Sequence, residues 1–149
     1  MNIIKSLVLI IVLLLFRVDS YGANVQPITA NELIIALEKQ DEHNKILLFF
    51  TSWCPYCKSA IQQILDSKAQ HKVTFISLDK NYSQIKAFAS SLSDNITIYY
   101  IADQSEVVAF FNKNGIRYKG SIPYISILDA DNHLMEDDVS LRQLQRYLK

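Results

Sequence analysis

The sequence predicts an α/β domain in which helices flank a central, mixed but mostly parallel β-sheet. Apolar segments of strand length alternate with segments whose apolar residues recur every three or four positions, as they do in helices. Residues 45–51 are dominated by Ile, Leu and Phe, which is typical of a strand buried on both faces of a sheet. Near the C-terminus, the polar turn 129–132 separates two short apolar segments and predicts a hairpin that makes the sheet mixed.

The first helix is predicted from about Ala30 to about Gln40. Thr29 and Glu32 form a capping-box pattern just before apolar residues at helical spacing. Strand 45–51 follows and leads directly into a Cys-Pro-Tyr-Cys sequence. Because proline suits the first turn of a helix, the second helix is predicted from Pro55 to about residue 68.

The rest of the chain continues the alternation of strands and helices. Its predicted strands are residues 73–78, 96–101, 124–128 and 133–135. Its predicted helices are residues 83–92, 105–114 and a final amphipathic helix that carries Val139, Leu141, Leu144 and Leu148. No repeat, low-complexity tract or linker divides the sequence.

Residues 1–22 have the three parts of a secretory signal peptide: a start with Lys5, a wholly apolar stretch at 7–16, and small and polar residues after it. As a helix, the apolar segment would span roughly 16 Å, which is short of the ~30 Å hydrocarbon thickness of a membrane. We therefore predict a signal peptide at 1–22, a single domain at 23–149, and export to a bacterial periplasm. An uncleaved membrane anchor is the alternative.

Charge excludes one class of partner. The chain has 15 Lys and Arg against 15 Asp and Glu, and no basic stripe with interleaved aromatic residues. The electrostatic footprint of a nucleic-acid-binding protein is missing, so we expect no nucleic-acid partner.

Both cysteines lie in Cys54-Pro55-Tyr56-Cys57, after the predicted buried strand and at the start of a predicted helix. Two intervening residues bring the sulfurs onto one turn, where a disulfide can close, and a helix N-terminus stabilises a thiolate on Cys54. Since the thiolate is the form that attacks a disulfide, Cys54 is the candidate nucleophile and Cys57 the candidate resolving thiol. The motif is typical of thiol–disulfide exchange.

A cysteine pair of this spacing has three alternative roles: a structural disulfide, a zinc site and a copper(I) site. A structural disulfide closing so short a loop would restrict the unfolded chain little. Zinc would need four ligands, and His43, His71 and His133 lie far along the chain in polar segments. Copper(I) held by the two thiolates is the remaining metal alternative. Redox exchange is the preferred interpretation, and it requires no cofactor and no metal.

Residues 49–58, Phe-Phe-Thr-Ser-Trp-Cys-Pro-Tyr-Cys-Lys, resemble the strand, Trp-Cys-x-x-Cys motif and helix start of the thioredoxin superfamily. Residues 120–124 fall where that family has its proline before the fourth strand, and 127–132 resemble the hairpin that follows. The resemblance covers residues 30–149 and implies the thioredoxin fold. It also implies that Pro123 is cis and faces the active-site disulfide; a trans proline opening a strand is the alternative.

The segment between Cys57 and Pro123 has room for one more strand and helix than a minimal thioredoxin, and residues 85–114 fill it. This insertion resembles that of the TlpA-like branch of bacterial envelope proteins, whereas the Cys-Pro-Tyr-Cys tetrapeptide is similar to that of glutaredoxins. The resemblance implies a monomeric thiol–disulfide oxidoreductase that acts as a reductant. Its partners would be exported proteins with thiols or disulfides, together with a membrane or periplasmic redox protein.

The resemblance also assigns the residues around the cysteines. Trp53, Pro55 and Tyr56 would shape the active site, while Ile122 and Pro123 would hold the substrate backbone. The alternative from another class is a non-enzymatic binding module, such as a copper(I) carrier or an accessory protein.

Two carboxylates that relatives use to relay protons are missing from this chain. Leu48 stands six residues before the first cysteine, where thioredoxins have Asp, and Ala60 stands three residues after the second, where TlpA-like proteins often have Glu. The proton of Cys57 therefore leaves through water or another group, or exchange is slower than in relatives.

The aromatic residues have structural interpretations. Phe49 and Phe50 are predicted core residues. Adjacent aromatic residues point in different directions, so at least one of each pair 99–100 and 110–111 should be core. Exposed partners near Pro123 would indicate a protein-docking patch.

Overall fold

The computed structural model describes residues 22–149, so the predicted signal peptide, apart from its last residue, lies outside the described residues. The β-strands are β1 Asn24–Pro27, β2 Asn44–Phe50, β3 Val73–Ser77, β4 Thr97–Tyr100, β5 Tyr124–Asp129 and β6 Leu134–Glu136. The α-helices are α1 Ala30–Glu38, α2 Pro55–Asp66, α3 Tyr82–Ser90, α4 Gln104–Lys113 and α5 Leu141–Leu148. Within residues 22–149, no helix is long and apolar enough to span a bilayer.

The six strands form one sheet in the order β1-β4-β3-β2-β5-β6. Strands β1, β4, β3 and β2 pair in parallel, and β5 and β6 add two antiparallel pairings. The predicted mixed, mostly parallel sheet is thus confirmed. The predicted extra unit before Pro123 is also confirmed, because β4 enters the sheet between β1 and β3 and is followed by α4.

Strand β2 lies at the centre of the core and is buried on both faces, as predicted. Ile46, Leu48 and Phe50 belong to the apolar cluster shared with α2, α3 and α5. The alternate residues Leu47 and Phe49 belong to the cluster shared with α1 and α4. Helices therefore cover both faces of the sheet, and the Cys-Pro-Tyr-Cys motif directly follows a strand that is buried on both faces.

Strand β1 is the main element that the sequence does not predict. Its four residues, Asn-Val-Gln-Pro, are mostly exposed and carry no alternating apolar pattern. The strand forms by backbone pairing with β4 at the edge of the sheet, with Val25 opposite Ile98. Short, polar edge strands of this kind have weak sequence signatures because they contribute little to the core.

The predicted start of α1 is confirmed in detail. Thr29 Oγ1 accepts a hydrogen bond from the Glu32 N–H at 3.2 Å, and Glu32 Oε2 accepts one from the Thr29 N–H at 2.7 Å. This is the reciprocal capping box that the sequence predicts. Other predicted elements differ from the observed ones by a few residues at their ends.

Candidate active site

Cys54 lies at the N-cap of α2, where β2 has ended and Pro55 occupies the first helical turn. The Cys57 N–H donates a hydrogen bond to Cys54 Sγ at 3.3 Å, so the first sulfur caps the helix. The positive end of the helix dipole therefore lies beside the Cys54 sulfur, where it stabilises negative charge.

The two cysteines have different surroundings. Cys57 is completely buried and packs in the apolar cluster of α2, whereas Cys54 is 4% exposed at the edge of that cluster. Beside them, Trp53 and Tyr56 are 66% and 76% exposed. Both cysteines are therefore buried, and the residues next to Cys54 in the motif are exposed.

The loop before β5 reaches the cysteines from the other side. The Ile122–Pro123 peptide bond is cis. Tyr124, the next residue, pairs with Phe49 of β2, which places this loop against the segment that leads to the motif. The Cys54 thiol donates to the Ile122 carbonyl oxygen at an S···O distance of 3.9 Å. The fold therefore brings together two motifs that are separated by 68 residues.

Burial is the main reason that the pKa of the Cys57 thiol is raised to about 12. The hydrogen bond to Cys54 raises the pKa further, the backbone of Thr51 lowers it, and the charges of Cys54 and Asp79 make smaller contributions that raise it. At neutral pH, Cys57 is therefore a protonated thiol.

The structure adds a residue that the sequence analysis missed, Asp79, which follows β3. It is 1% exposed and accepts hydrogen bonds from the Ser52 N–H at 2.9 Å, the Ser52 hydroxyl at 2.7 Å and the Ser77 hydroxyl at 2.8 Å. Ser52 belongs to the loop just before Trp53 and Cys54. A signal was present in the sequence, since Asp79 follows a strand parallel to β2, and parallel strands bring their carboxyl ends to one edge.

A groove of about 570 Å³ opens beside the cysteine motif. Its walls come from the motif loop, the loop before β5, and helix α4 of the extra unit; they include Thr51, Trp53, Val108, Phe111, Tyr118 and Ile122. The walls are mostly apolar, and Val108 is 55% exposed. Thr51 Oγ1 is buried without a hydrogen-bond partner in the described part of the chain.

The predicted core aromatic residues are confirmed. Phe49 and Phe50 are fully buried, and Tyr100 and Phe110 supply the buried member of each aromatic pair. Neither remaining partner is exposed, because Phe111 is 6% exposed and Tyr99 is half-buried. The condition for a docking patch formed by these pairs is therefore not met, and the exposed large hydrophobic residues near the motif and the groove are Trp53, Tyr56 and Val108.

The groups that could hold a metal are limited in residues 22–149. Cys54 and Cys57 are free thiols. The one cluster of three ligating side chains in this part of the chain consists of Asp129, Asp131 and His133 in the turn between β5 and β6, where the last two are exposed. The Asp129 carboxylate is already engaged, since it accepts hydrogen bonds from the backbone N–H groups of the other two.

The sequence matches no protein-family model and no curated protein. Solved structures with the same fold include a thioredoxin-like protein from Bacteroides caccae (TM-score 0.52, 18% identity, covering 75% of this chain and 42% of that one). Another is an exposed lipoprotein thioredoxin from Streptococcus pneumoniae (TM-score 0.56, 13% identity, 75% and 87%). A third is a putative thiol:disulfide interchange protein, DsbE, from Chlorobium tepidum (TM-score 0.56, 15% identity, 77% and 85%).

Proposed function

We propose that this chain, which has the thioredoxin fold with a Cys-x-x-Cys pair at the start of α2, is a thiol–disulfide oxidoreductase. In this proposal Cys54 is the nucleophile and Cys57 the resolving thiol. The observation that carries this proposal is the division between the two sulfurs. Cys54 caps the start of α2 beside the exposed Trp53 and Tyr56 and is 4% exposed, while Cys57 lies one turn inside and is fully buried.

The proposed reaction has two exchange steps. The Cys54 thiolate attacks one sulfur of a substrate disulfide, forming a mixed disulfide and releasing the other substrate sulfur as a thiolate. Cys57 then loses its proton and attacks Cys54 Sγ, which forms the Cys54–Cys57 disulfide and releases the second substrate sulfur. Two electrons pass to the substrate, so a separate redox protein must reduce the cysteine pair again.

The groove beside Cys54 supports a polypeptide substrate. Trp53, Val108 and Ile122 offer apolar surface in this groove, and the Ile122 carbonyl oxygen lies 3.9 Å from the Cys54 sulfur. We propose that an extended segment of substrate lies along this groove, with an apolar side chain against α4 and its backbone beside Ile122 and Pro123.

The compartment and direction are also proposals. The predicted signal peptide supports export to a periplasm, where substrates are exported proteins and the redox partner is periplasmic or membrane-bound. Action as a monomeric reductant is supported by the resemblance to TlpA-like proteins and by the extra β4–α4 unit. A reduction potential near the ~−270 mV of thioredoxin agrees with this direction, and one near ~−120 mV indicates an oxidant instead.

Reduction of insulin by the purified protein tests the activity itself. We expect dithiol-dependent insulin reduction by the wild type and none by Cys54→Ser, with Ser59→Ala on the exposed side of α2 as the matched control that retains activity. Activity that survives Cys54→Ser contradicts the proposal. Tight copper(I) binding without turnover supports the non-enzymatic binding module in its place.

A further inference from the structure

The second exchange step requires a group that accepts the proton of the Cys57 thiol. Cys57 must become a thiolate to attack, yet its thiol is completely buried and keeps its proton at neutral pH. Leu48 and Ala60 stand where relatives have carboxylates, and both are fully buried apolar side chains here. The proton must therefore leave to water or to a base from another part of the fold.

Asp79 is brought to this place by the pairing of β2 and β3. Ser77 lies opposite Phe50 in the parallel register, and the Leu78 N–H donates to the Phe50 carbonyl oxygen at 2.7 Å. Phe75 faces the apolar cluster that contains Cys57, and Ser77, two residues along, points the same way. Because the Ser77 hydroxyl binds the Asp79 carboxylate, that carboxylate lies on the Cys57 side of the sheet.

The carboxylate has an unusual setting. Among residues 22–149, Asp79 is the only acidic side chain that is buried, and none of the ion pairs in this region includes it. Three hydrogen bonds from Ser52 and Ser77 stabilise the carboxylate in place of a cation. A buried carboxylate without an ion-pair partner depends on such hydrogen bonds for its stabilisation.

We propose that Asp79 accepts the proton of Cys57 as Cys57 resolves the mixed disulfide. This proposal rests on the proposed function. The S–H bond of Cys57 breaks and its proton passes to the Asp79 carboxylate. At the same time the Cys57–Cys54 bond forms, and the bond between Cys54 and the substrate sulfur breaks. The substrate leaves as a thiolate, and Asp79 later returns its proton to that thiolate or to water.

Charge balance favours this route. The titratable groups that act on Cys57 are Cys54, Asp79 and Tyr118, while Lys58 beside it points to the Phe88 ring. A thiolate formed with Asp79 still ionised would place two negative charges in one buried region. Transfer of the proton to Asp79 keeps the total charge at one, so the repulsion disappears as the nucleophile forms.

The test separates the two exchange steps with Asp79→Asn. Capture of a disulfide-bonded peptide by Cys57→Ala reports the first step, and stopped-flow decay of the wild-type mixed disulfide reports the second. We expect Asp79→Asn to change capture in the Cys57→Ala background less than about twofold. Resolution should slow by about 100-fold, the usual contribution of a general base. Asp41→Asn, at an exposed position, is the matched control.

Two further measurements separate proton transfer from a purely structural role. Ser52→Ala removes one hydrogen bond to Asp79 but keeps the carboxylate, so it should slow resolution of the mixed disulfide by much less than Asp79→Asn does. In the wild type, resolution should already be fast at neutral pH, with no further rise as the pH passes about 9. A rate that rises only above about pH 9, or equal defects in Ser52→Ala and Asp79→Asn, overturns the proposal even if Asp79→Asn does not fold.

The outcomes also separate this proposal from the proposed function. If Cys57→Ala captures no substrate, the oxidoreductase proposal fails and the Asp79 assignment fails with it. If capture is normal and Asp79→Asn resolves the mixed disulfide at the wild-type rate, only the Asp79 assignment fails.

Discussion

The Cys54 thiol lies 3.9 Å from the carbonyl oxygen of Ile122, and it donates its hydrogen to that oxygen. The sulfur that we propose as the nucleophile therefore faces the loop that we propose binds the substrate backbone. This contact connects the end of β2 with the start of β5, two strands that pair directly in the sheet. The reactive position is defined by the sheet rather than by a mobile loop.

The groove predicts that a substitution in its wall weakens the reaction with a polypeptide disulfide but not with a small-molecule disulfide. Val108→Asp puts a charge on an exposed position of the α4 wall, where it opposes binding of an apolar side chain. We expect KM for a disulfide-bonded peptide to rise by about fivefold to tenfold, in line with about 1–1.4 kcal/mol of lost apolar contact. The rate with a small aromatic disulfide should be unchanged.

Ile35→Asp is the control for the groove, because Ile35 is a 49% exposed branched residue on α1 that does not line it. This variant should leave both substrates unaffected. Equal losses with Ile35→Asp and Val108→Asp would show that the groove has no special role.

The raised pKa of the Cys57 thiol predicts that the reduced protein loses stability at alkaline pH. The pKa of this thiol is raised by burial from 9.0 to about 12 in the folded state. The stabilising effect of the neutral thiol is complete below about pH 9 and is lost as the pH rises toward 12, because the unfolded chain releases the proton first. Reduced wild type should lose about 2 kcal/mol more of its free energy of unfolding between about pH 8 and 11 than Cys57→Ala does.

Urea unfolding in the presence of a phosphine reductant measures this difference. The comparison with Cys57→Ala cancels the titration of lysine and tyrosine side chains, which both proteins share. Parallel pH profiles for the two proteins would contradict the buried, protonated state of Cys57.

The capping box at α1 predicts a stability effect away from the active site. Thr29→Ala removes the hydroxyl that accepts from the Glu32 N–H, and we expect it to lower the free energy of unfolding by about 1 kcal/mol. Thr29→Ser keeps a capping hydroxyl and should stay within about 0.3 kcal/mol of wild type. Chemical denaturation of the three proteins measures both values, and equal stability of all three would show that the cap contributes nothing.

Most of the fold can be predicted from local patterns in the sequence. The continuous apolar run of β2 predicts burial on both faces, and the Thr29–Glu32 pair predicts the start of α1, as observed. Strand β1 could not be predicted, because its pairing with β4 depends on backbone contacts across 73 residues rather than on its own side chains. The burial of Lys45 could not be predicted from the sequence either, because it depends on a distant turn. This charged residue near the start of β2 is buried, and its Nζ donates to the Ala130 carbonyl oxygen and to Asn132 Oδ1.

The placement of the cysteine pair could be predicted from the sequence because both cysteines lie in one short motif. Two residues separate Cys54 from Cys57, and the placement of the pair at the start of α2 follows from the strand before it and from Pro55 after the first cysteine. Asp79 and the α4 wall of the groove could not be placed in this way. Their proximity to the cysteines depends on strand order and register, which local periodicity does not specify.

The central claim is that Cys54 attacks a substrate disulfide and Cys57 resolves the product. Intact-mass measurement after mixing Cys57→Ser with a disulfide-bonded peptide tests it most directly, with Cys54→Ser as the paired control. We predict a stable mixed disulfide on Cys57→Ser, mapped to Cys54, and no adduct on Cys54→Ser. An adduct that forms equally on both variants, or on neither, would contradict the assignment of the two thiols.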